Sequence, residues 1–444
     1  MLTITPEAEK AILVGAMVRG SKPLLSLEES LNELSLLADT AGIQVAGRIT
    51  QLVNHIDPAT FVGSGKVKEI IDALQETQAK VVIFDEELSP RHQRELSKNF
   101  GENIKLLDRS ALILDIFAQH ASTREGSLQV ELAQYEYRLP RLTRQWTHLA
   151  RQGGGAGARG GNGGVGLRGP GETQLETDKR EIGRKIAKLK DDLEQVRRHR
   201  SLHRAQRRKS GIPVVALVGY TNAGKSTLLN ALSDANVYVA DQLFATLDPT
   251  TRRVHLPSGR EILITDTVGF IQKLPTTLIA AFRATLEEIA EADLLLHVVD
   301  ITDGHVLANF EAVEDTLAEL DVPSIPKILV WNKIDAQPEE TASIELPIKD
   351  FQEYGDTVRV SAQHKLGLDI LLNTIEKTLA LQLKQIKLLI PYEKGELVAQ
   401  LYQFAQVKSQ EHTENGVLLE VELPKPLYGH YEHFALGKPD VQTL

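Results

Sequence analysis

One stretch constrains this chain more than any other. The apolar run Val214–Val218 breaks into Gly219-Tyr220-Thr221-Asn222-Ala223-Gly224-Lys225-Ser226, and a helix-forming segment, Thr227–Ala235, follows at once. The pattern G-x-x-x-x-G-K-S works only as a strand, a loop and a helix in that order. Its glycines let successive backbone N–H groups curl around a phosphate, and the helix start adds the positive end of its dipole. Lys225 brings charge to the β- and γ-phosphates, and the Ser226 hydroxyl suits Mg²⁺. The expectation is an α/β nucleotide-binding domain, a mixed sheet with helices on both faces, over residues 211–384.

Three further elements follow in order. Asp266-Thr267-Val268-Gly269 ends the apolar run from Ile262, forty residues beyond Ser226. A carboxylate there can hold Mg²⁺ through water, and Gly269 leaves an N–H free for a γ-phosphate. Asn332-Lys333-Ile334-Asp335 follows the run Lys327–Trp331. A carboxylate accepts two hydrogen bonds in a fork. Guanine offers N1–H and N2–H₂ side by side and adenine does not, so Asp335 selects the base. Lys333 can lie over the base, and Asn332 can tie this loop to the phosphate loop. Val360-Ser361-Ala362 suits a backbone contact to guanine O6. The set reads as GTP and GDP binding rather than ATP.

A switch loop belongs between the phosphate loop and Asp266. Phe244-Ala245-Thr246-Leu247-Asp248 occupies that place, followed by Pro249, Thr250 and Thr251. A threonine here would reach Mg²⁺ only with a γ-phosphate present. Thr246 is the choice, with Thr250 and Thr251 as alternatives. The expected nucleotide contacts are thus residues 219–227 including Thr227, 244–248, 266–269, 332–335 and 360–362. Ser226, Thr246 and Asp266 form the expected metal set, and Lys225, Thr246 and Gly269 the catalytic set. Phe270 stands where many such sites carry a glutamine that orients water, so intrinsic hydrolysis is expected to be slow. Asn222 is a candidate for K⁺ beside the phosphates.

The net charge of −10 hides a strong asymmetry. Residues 138–209 hold 19 Lys/Arg against 7 Asp/Glu, and the rest holds 31 against 53. A basic module in an acidic chain points to a local anionic partner. Leu128, Leu132, Tyr135, Leu139, Leu142, Trp146 and Leu149 form one heptad seam, with Pro140 expected to interrupt it. Leu175, Ile182, Ile186, Leu189, Leu193 and Val196 form a second, so 121–210 reads as an antiparallel helical hairpin. Between the seams, eleven of residues 153–171 are glycine. Arg151, Arg159 and Arg168 line that segment. Arg197, Arg198, Arg200, Arg204, Arg207 and Arg208 follow on the second helix. These nine are the expected RNA contacts.

Residues 1–120 alternate strands (11–18, 43–49, 81–88, 104–108) with helices (25–42, 65–79, 90–101), a small α/β domain with a parallel sheet. Phe61-Val62-Gly63-Ser64-Gly65-Lys66 resembles half a phosphate loop and reads better as a helix start. Residues 385–444 read as a small α+β domain with a hairpin turning at Asn415-Gly416. The chain contains no cysteine, which excludes disulfides and thiolate metal sites and fits the cytosol. No apolar run is long enough to span a membrane, and no signal peptide is evident.

Taken with Gly219–Thr227, the segments Leu243–Arg253, Asp266–Ile271 and Trp331–Asp335 resemble the HflX family of bacterial GTPases. Gly166–Arg180 (GLRGPGETQLETDKR) is the most specific element, since it is not a general GTPase motif. The resemblance implies a cytoplasmic, Mg²⁺-dependent GTP hydrolase that is monomeric when free and needs no obligate membrane partner, with partial membrane association left open. It implies binding to the large ribosomal subunit and its rRNA, and dissociation or rescue of idle or stalled ribosomes under stress. A ribosome-assembly GTPase and a GTP-dependent regulator of a protein partner are the alternatives.

Overall fold

The computed structural model describes residues 9–142, 174–210, 212–233, 243–244, 249–274, 289–319, 325–336, 354–381, 383–424, 428–429 and 431–436, residue 22 apart. The glycine-rich segment 153–171, with Arg151, Arg159 and Arg168, lies outside the described residues. So do Ala245, Thr246, Leu247 and Asp248, and the seam positions Trp146 and Leu149.

The chain divides into two compact units. The first comprises residues 1–195, 240–248 and 271–283, and the second the remainder.

The first unit holds a parallel sheet of β1 (Lys10–Val18), β2 (Gln44–Val53), β3 (Val81–Phe84) and β4 (Lys105–Asp108), in the order β2-β1-β3-β4. The helices are α1 (Leu27–Thr40), α2 (Ser64–Thr77), α3 (Pro90–Phe100) and α4 (Arg109–His120). Ser26 starts α1 through a capping box with Glu29, an arrangement that contributes about 1 kcal/mol. Gly63 caps α2, so the half phosphate loop at 61–66 is indeed a helix start. Ile12, Val14, Ile70, Val82, Phe84 and Leu96 meet in a buried core.

Two expectations need correction here. The strand expected over 81–88 ends at Phe84, because Asp85 turns its carboxylate toward Arg109 instead of continuing the sheet. Helix α4 was not expected at all. Its sequence, with Ile113, Leu114, Ile116 and Phe117 all buried, is apolar around most of its circumference and shows no amphipathic period.

Helix α5 (Arg124–Arg138) carries the first seam and α6 (Gln174–Ser210) the second. Leu132, Leu189 and Leu193 pack together with Leu128, Tyr135 and Ile186 at their edge, and Lys190 pairs with Glu136 at 2.8 Å. The two seams therefore meet. Helix α5 stops at Arg138 and Leu139–Arg141 forms one 3-10 turn, as Pro140 dictates by lacking a donor and crowding the preceding turn.

The second unit contains a six-stranded sheet in the order β10-β9-β8-β5-β7-β6. Its strands are β5 (Val214–Val218), β6 (Thr250–His255), β7 (Glu261–Asp266), β8 (Leu294–Asp300), β9 (Lys327–Asn332) and β10 (Asp356–Arg359). Only β6 runs antiparallel to its neighbour among these described strands. The central strands are buried on both faces, which accounts for their unbroken apolar sequence. Helices α7 (Lys225–Ser233), α8 (Val306–Glu319) and α9 (Leu368–Leu381) accompany them.

The C-terminal part adds β11 (Leu383–Ile390), α10 (Gly395–Phe404), β12 (Gln406–Thr413) and β13 (Gly416–Pro424), an antiparallel sheet ordered β11-β13-β12. The expected hairpin forms, but its turn falls one residue earlier than expected, at Glu414-Asn415, because Gly416 already pairs with Thr413 as the first residue of β13. Among the described residues no helix is long and apolar enough to cross a membrane.

Candidate active site

Strand register assembles the site. In the β5–β7 pairing Leu217 lies opposite Asp266, so the Asp266 carboxylate emerges beside the loop that follows β5. The Ser226 hydroxyl donates to Asp266 Oδ2 at 2.6 Å. In the β9–β10 pairing Trp331 lies opposite Arg359, which delivers Val360-Ser361-Ala362 next to Asn332.

The phosphate loop runs from Gly219 to Ser226, and α7 begins at Lys225. Gly224 has φ +91°, and a Cβ there would sit 2.3 Å from Asn332 Nδ2. Only glycine satisfies both the left-handed backbone and the close approach. The Thr221 hydroxyl is buried with no hydrogen-bond partner among the described residues.

Lys225 is 6% exposed, and its ammonium donates to the Gly219 carbonyl at 3.0 Å and the Tyr220 carbonyl at 2.8 Å. Burial pushes its pKa down to about 8, with the Asp266 charge opposing. The amine is thus held in a dry loop whose carbonyls occupy it, ready to exchange them for stronger anionic acceptors.

The Asp266–Gly269 loop folds back onto the phosphate loop. The Thr267 hydroxyl donates to the Leu217 carbonyl at 2.6 Å. Phe270 N–H donates to the Gly219 carbonyl at 3.1 Å, and its own carbonyl accepts from Thr221 N–H at 2.7 Å. A Cβ on Gly269 would lie 2.9 Å from Thr221 Cα and 3.2 Å from Lys225 Nζ. The Phe270 ring is 3% exposed, so that position presents no polar side chain to orient a water.

The residues expected to read the base converge as well. Asn332 Nδ2 donates to the Ala223 carbonyl at 2.9 Å, and Asn332 Oδ1 accepts from Ala362 N–H at 3.0 Å. This amide ties three loops together. Lys333, at φ +64°, pairs with Asp300 Oδ2 at 2.7 Å. Asp300 ends β8 and went unremarked in the sequence; its only signal is a carboxylate closing an apolar strand. A hydrogen bond from the Ser361 side chain, then one from the backbone N–H of Asp335 itself and the charges of His364 and Lys333, hold the Asp335 carboxyl below the usual carboxylate range against a burial cost.

The described part of the expected switch segment includes Phe244, Thr250 and Thr251. Phe244 packs its ring against Phe117 at 4.5 Å between centroids. Thr250 and Thr251 lie in β6, where the Thr251 hydroxyl meets that of Thr265 at 2.9 Å. Arg197, Arg198 and Arg200 lie on α6; Arg204, Arg207 and Arg208 continue its backbone, with side chains outside the described residues.

Four family models match the chain in succession. They are described as GTP-binding GTPase N-terminal (residues 28–118), GTP-binding GTPase Middle Region (120–207), 50S ribosome-binding GTPase (214–333) and HflX C-terminal domain (348–427). A GTPase HflX of Caldanaerobacter subterraneus subsp. tengcongensis is 45% identical over 437 residues, covering 98% of this chain and 96% of that protein. The chain belongs to the HflX GTPase family. The GTPase HflX of Escherichia coli is 43% identical over 417 residues, 94% of either chain. A crystal structure of SsGBP with GDP aligns with a TM-score of 0.47 at 24% identity, over 83% of this chain and 98% of that one. As an HflX GTPase the protein is a hydrolase that converts GTP and water to GDP and phosphate.

Proposed function

We propose that this HflX GTPase acts on the large ribosomal subunit and uses GTP to separate or rescue idle or stalled ribosomes. The observation that carries the nucleotide half is the Asn332 amide, bonded to both Ala223 and Ala362. It fixes the phosphate loop, the Asp335 loop and the Ser361 loop as one receptor for a guanine nucleotide.

Within that receptor, N–H groups of residues 222–227 cradle the phosphates and Lys225 gives up its two carbonyls for β- and γ-phosphate oxygens. Asp335 accepts from guanine N1–H and N2–H₂, the Ser361-Ala362 loop faces O6, and Lys333 lies over the base. The Ser226 and Asp266 oxygens, already 2.6 Å apart, are hard donors that suit Mg²⁺. Thr246 completes that set, and the ion when bound neutralises charge developing on the phosphates. Gly269 N–H turns to the γ-phosphate. A water then attacks the γ-phosphorus in line, the bond to the β–γ bridging oxygen breaks, and GDP and phosphate leave. The buried Phe270 cannot position this water. Ordering of the Thr246 and Gly269 loops on the ribosome, with K⁺ beside Asn222, supplies what the free protein lacks.

Support for the ribosomal partner comes from two sides. The model matching residues 214–333 is described as a 50S ribosome-binding GTPase. Basic charge is concentrated in 138–209, and structured RNA is met chiefly by cations on phosphates and by shape. Sedimentation with purified large subunits tests this. Binding should be stronger with a non-hydrolysable GTP analogue than with GDP, and should fall steeply with salt. Binding indifferent to both nucleotide and salt would remove the ribosomal reading.

A further inference from the structure

The parallel sheet of the first unit reverses its winding between β1 and β3. The chain runs from β1 to β2 on one side, then to β3 and β4 on the other. In such sheets the crevice outside the carboxyl ends of the strands flanking the reversal is the natural place for a ligand. A cavity of about 460 Å³ lies there, and every residue that lines it belongs to the first unit. Its lining combines apolar Met17, Leu25, Ile56 and Phe61 with acidic Glu86 and Glu87. A cavity of this size, largely apolar with a few convergent polar groups, suits a small molecule.

The polar groups converge on one nitrogen. Asp85, directly after β3, is 1% exposed. Its Oδ1 accepts from Arg109 at 2.7 Å and its Oδ2 from the Ser30 hydroxyl at 2.7 Å, so the carboxylate is fixed from two helices, α4 and α1. Around the seat so formed sits the ammonium of Lys273, which belongs to the same unit. Its Nζ donates to Asp85 Oδ2 at 2.5 Å and to Ser30 Oγ at 3.0 Å, and pairs with Glu86 Oε1 at 2.6 Å. Three acceptors thus meet the three donors of one ammonium. The Lys273 side chain is 32% exposed, so the seat opens outward and is not sealed in the core. An anion would find no open donor here: Lys273 is the one cation among the described lining residues, and its protons are taken.

We propose that this crevice is a second ligand site, for a small molecule with a primary ammonium head and an apolar body. The head takes the seat that Lys273 fills in the free protein, and the body lies along Met17, Ile56 and Phe61. Lys273 is the chain's own competitor for the seat: it partners Asp85 and Glu86 until a ligand supplies another ammonium, and then releases its own into solvent. The exchange strands no buried charge, because Asp85 keeps Arg109 and gains the ligand. The seat favours an amine over a guanidinium, since its acceptors surround a single nitrogen and a guanidinium spreads its donors over a planar fork.

The test is calorimetric titration of the full chain, saturated with GDP, with phenylbutylamine, whose four-carbon stem matches that of lysine. Phenylbutanol and phenylbutanoate carry the same body on a neutral and an anionic head. The amine should bind at least about ten-fold tighter than either, as expected for charge-assisted hydrogen bonds. Lys273→Ala removes the competitor and leaves Asp85 paired with Arg109, so the fold should persist, as circular dichroism will show. It should tighten the amine about ten-fold and leave the alcohol within about two-fold. Two further single variants bear on the seat and the cavity without removing Lys273. Glu86→Gln, at a half-exposed site, should weaken the amine about ten-fold, and Met17→Trp, which fills the cavity, should abolish its binding. No binding of the amine, equal binding of amine and alcohol, or an amine affinity indifferent to Glu86→Gln and Met17→Trp overturns the proposal. The last of these results would mark simple adsorption of a cation on an acidic chain.

Discussion

The Asn332 side chain donates to the Ala223 carbonyl at 2.9 Å from a position 2% exposed. The bond crosses from the end of β9 to the middle of the phosphate loop, so the loop proposed to read the base and the phosphate loop cannot move independently. Asn332→Ala would strand both the Ala223 carbonyl and the Ala362 N–H. Each orphaned buried group costs about 1–3 kcal/mol. The expected result is a loss of GDP and GTP affinity of at least about thirty-fold with secondary structure retained, checked by nucleotide titration and circular dichroism.

Asp335 is held ionised by the Ser361 hydrogen bond and neighbouring cations. Asp335→Asn replaces one acceptor by a donor and clashes with guanine N2–H₂. GTP affinity should fall by at least about a hundred-fold, while xanthosine triphosphate, which carries an oxygen at that position, should bind better than to the parent. Competition between the two nucleotides gives the answer directly, and unchanged preference for GTP would remove Asp335 as the base selector.

Burial sets the Lys225 amine at about 8 rather than the ordinary 10.5. In the free protein the group therefore sheds its proton above pH 8, while phosphates favour the charged form. Between about pH 8 and 10.5 the nucleotide-free site binds fewer protons than the unfolded chain, so this group's destabilising effect fades as pH rises through that window. Nucleotide binding should reverse the shift. Calorimetry at pH 8.5 in buffers of different ionisation enthalpy should show net proton uptake on GDP binding, declining toward zero at pH 7. Proton release at pH 8.5 would contradict the assignment.

Much of this was readable from residues because backbone chemistry imposes it. Gly224 must be glycine for two separate reasons, and Pro140 must end α5. Asn332 was legible as a tie between loops because a side-chain amide with both a donor and an acceptor suits that task. What escaped was tertiary. Helix α4 has no polar face to reveal its period, since it is buried nearly all round. The Phe244 ring lies on Phe117, a partner 127 residues away in the chain that no local pattern announces. Lys273 was not singled out from the sequence, and nothing near it in sequence announces Asp85 or Ser30. The limits of the strand at 81–88 depended on the same Asp85, whose partner Arg109 is equally remote.

Deleting residues 153–169 should leave GDP and GTP affinity unchanged, because every nucleotide-facing group described above lies at 219 or beyond. It should abolish most of the effect of the protein on ribosomes, since the segment carries Arg159 and Arg168 between the two helical segments of the basic module. Splitting of 70S particles followed by sedimentation is the check. Full splitting by the deletion variant would make the glycine-rich segment a passive connector.

The most direct measurement is GTP turnover with and without purified large ribosomal subunits, in K⁺ and in Na⁺. With Phe270 buried where a water-orienting side chain would otherwise stand, the free protein should turn over slowly. Addition of the subunit should raise the rate by at least about ten-fold, and more in K⁺ than in Na⁺. A basal rate that the subunit leaves unchanged would contradict the account and turn attention to a protein partner for the basic hairpin.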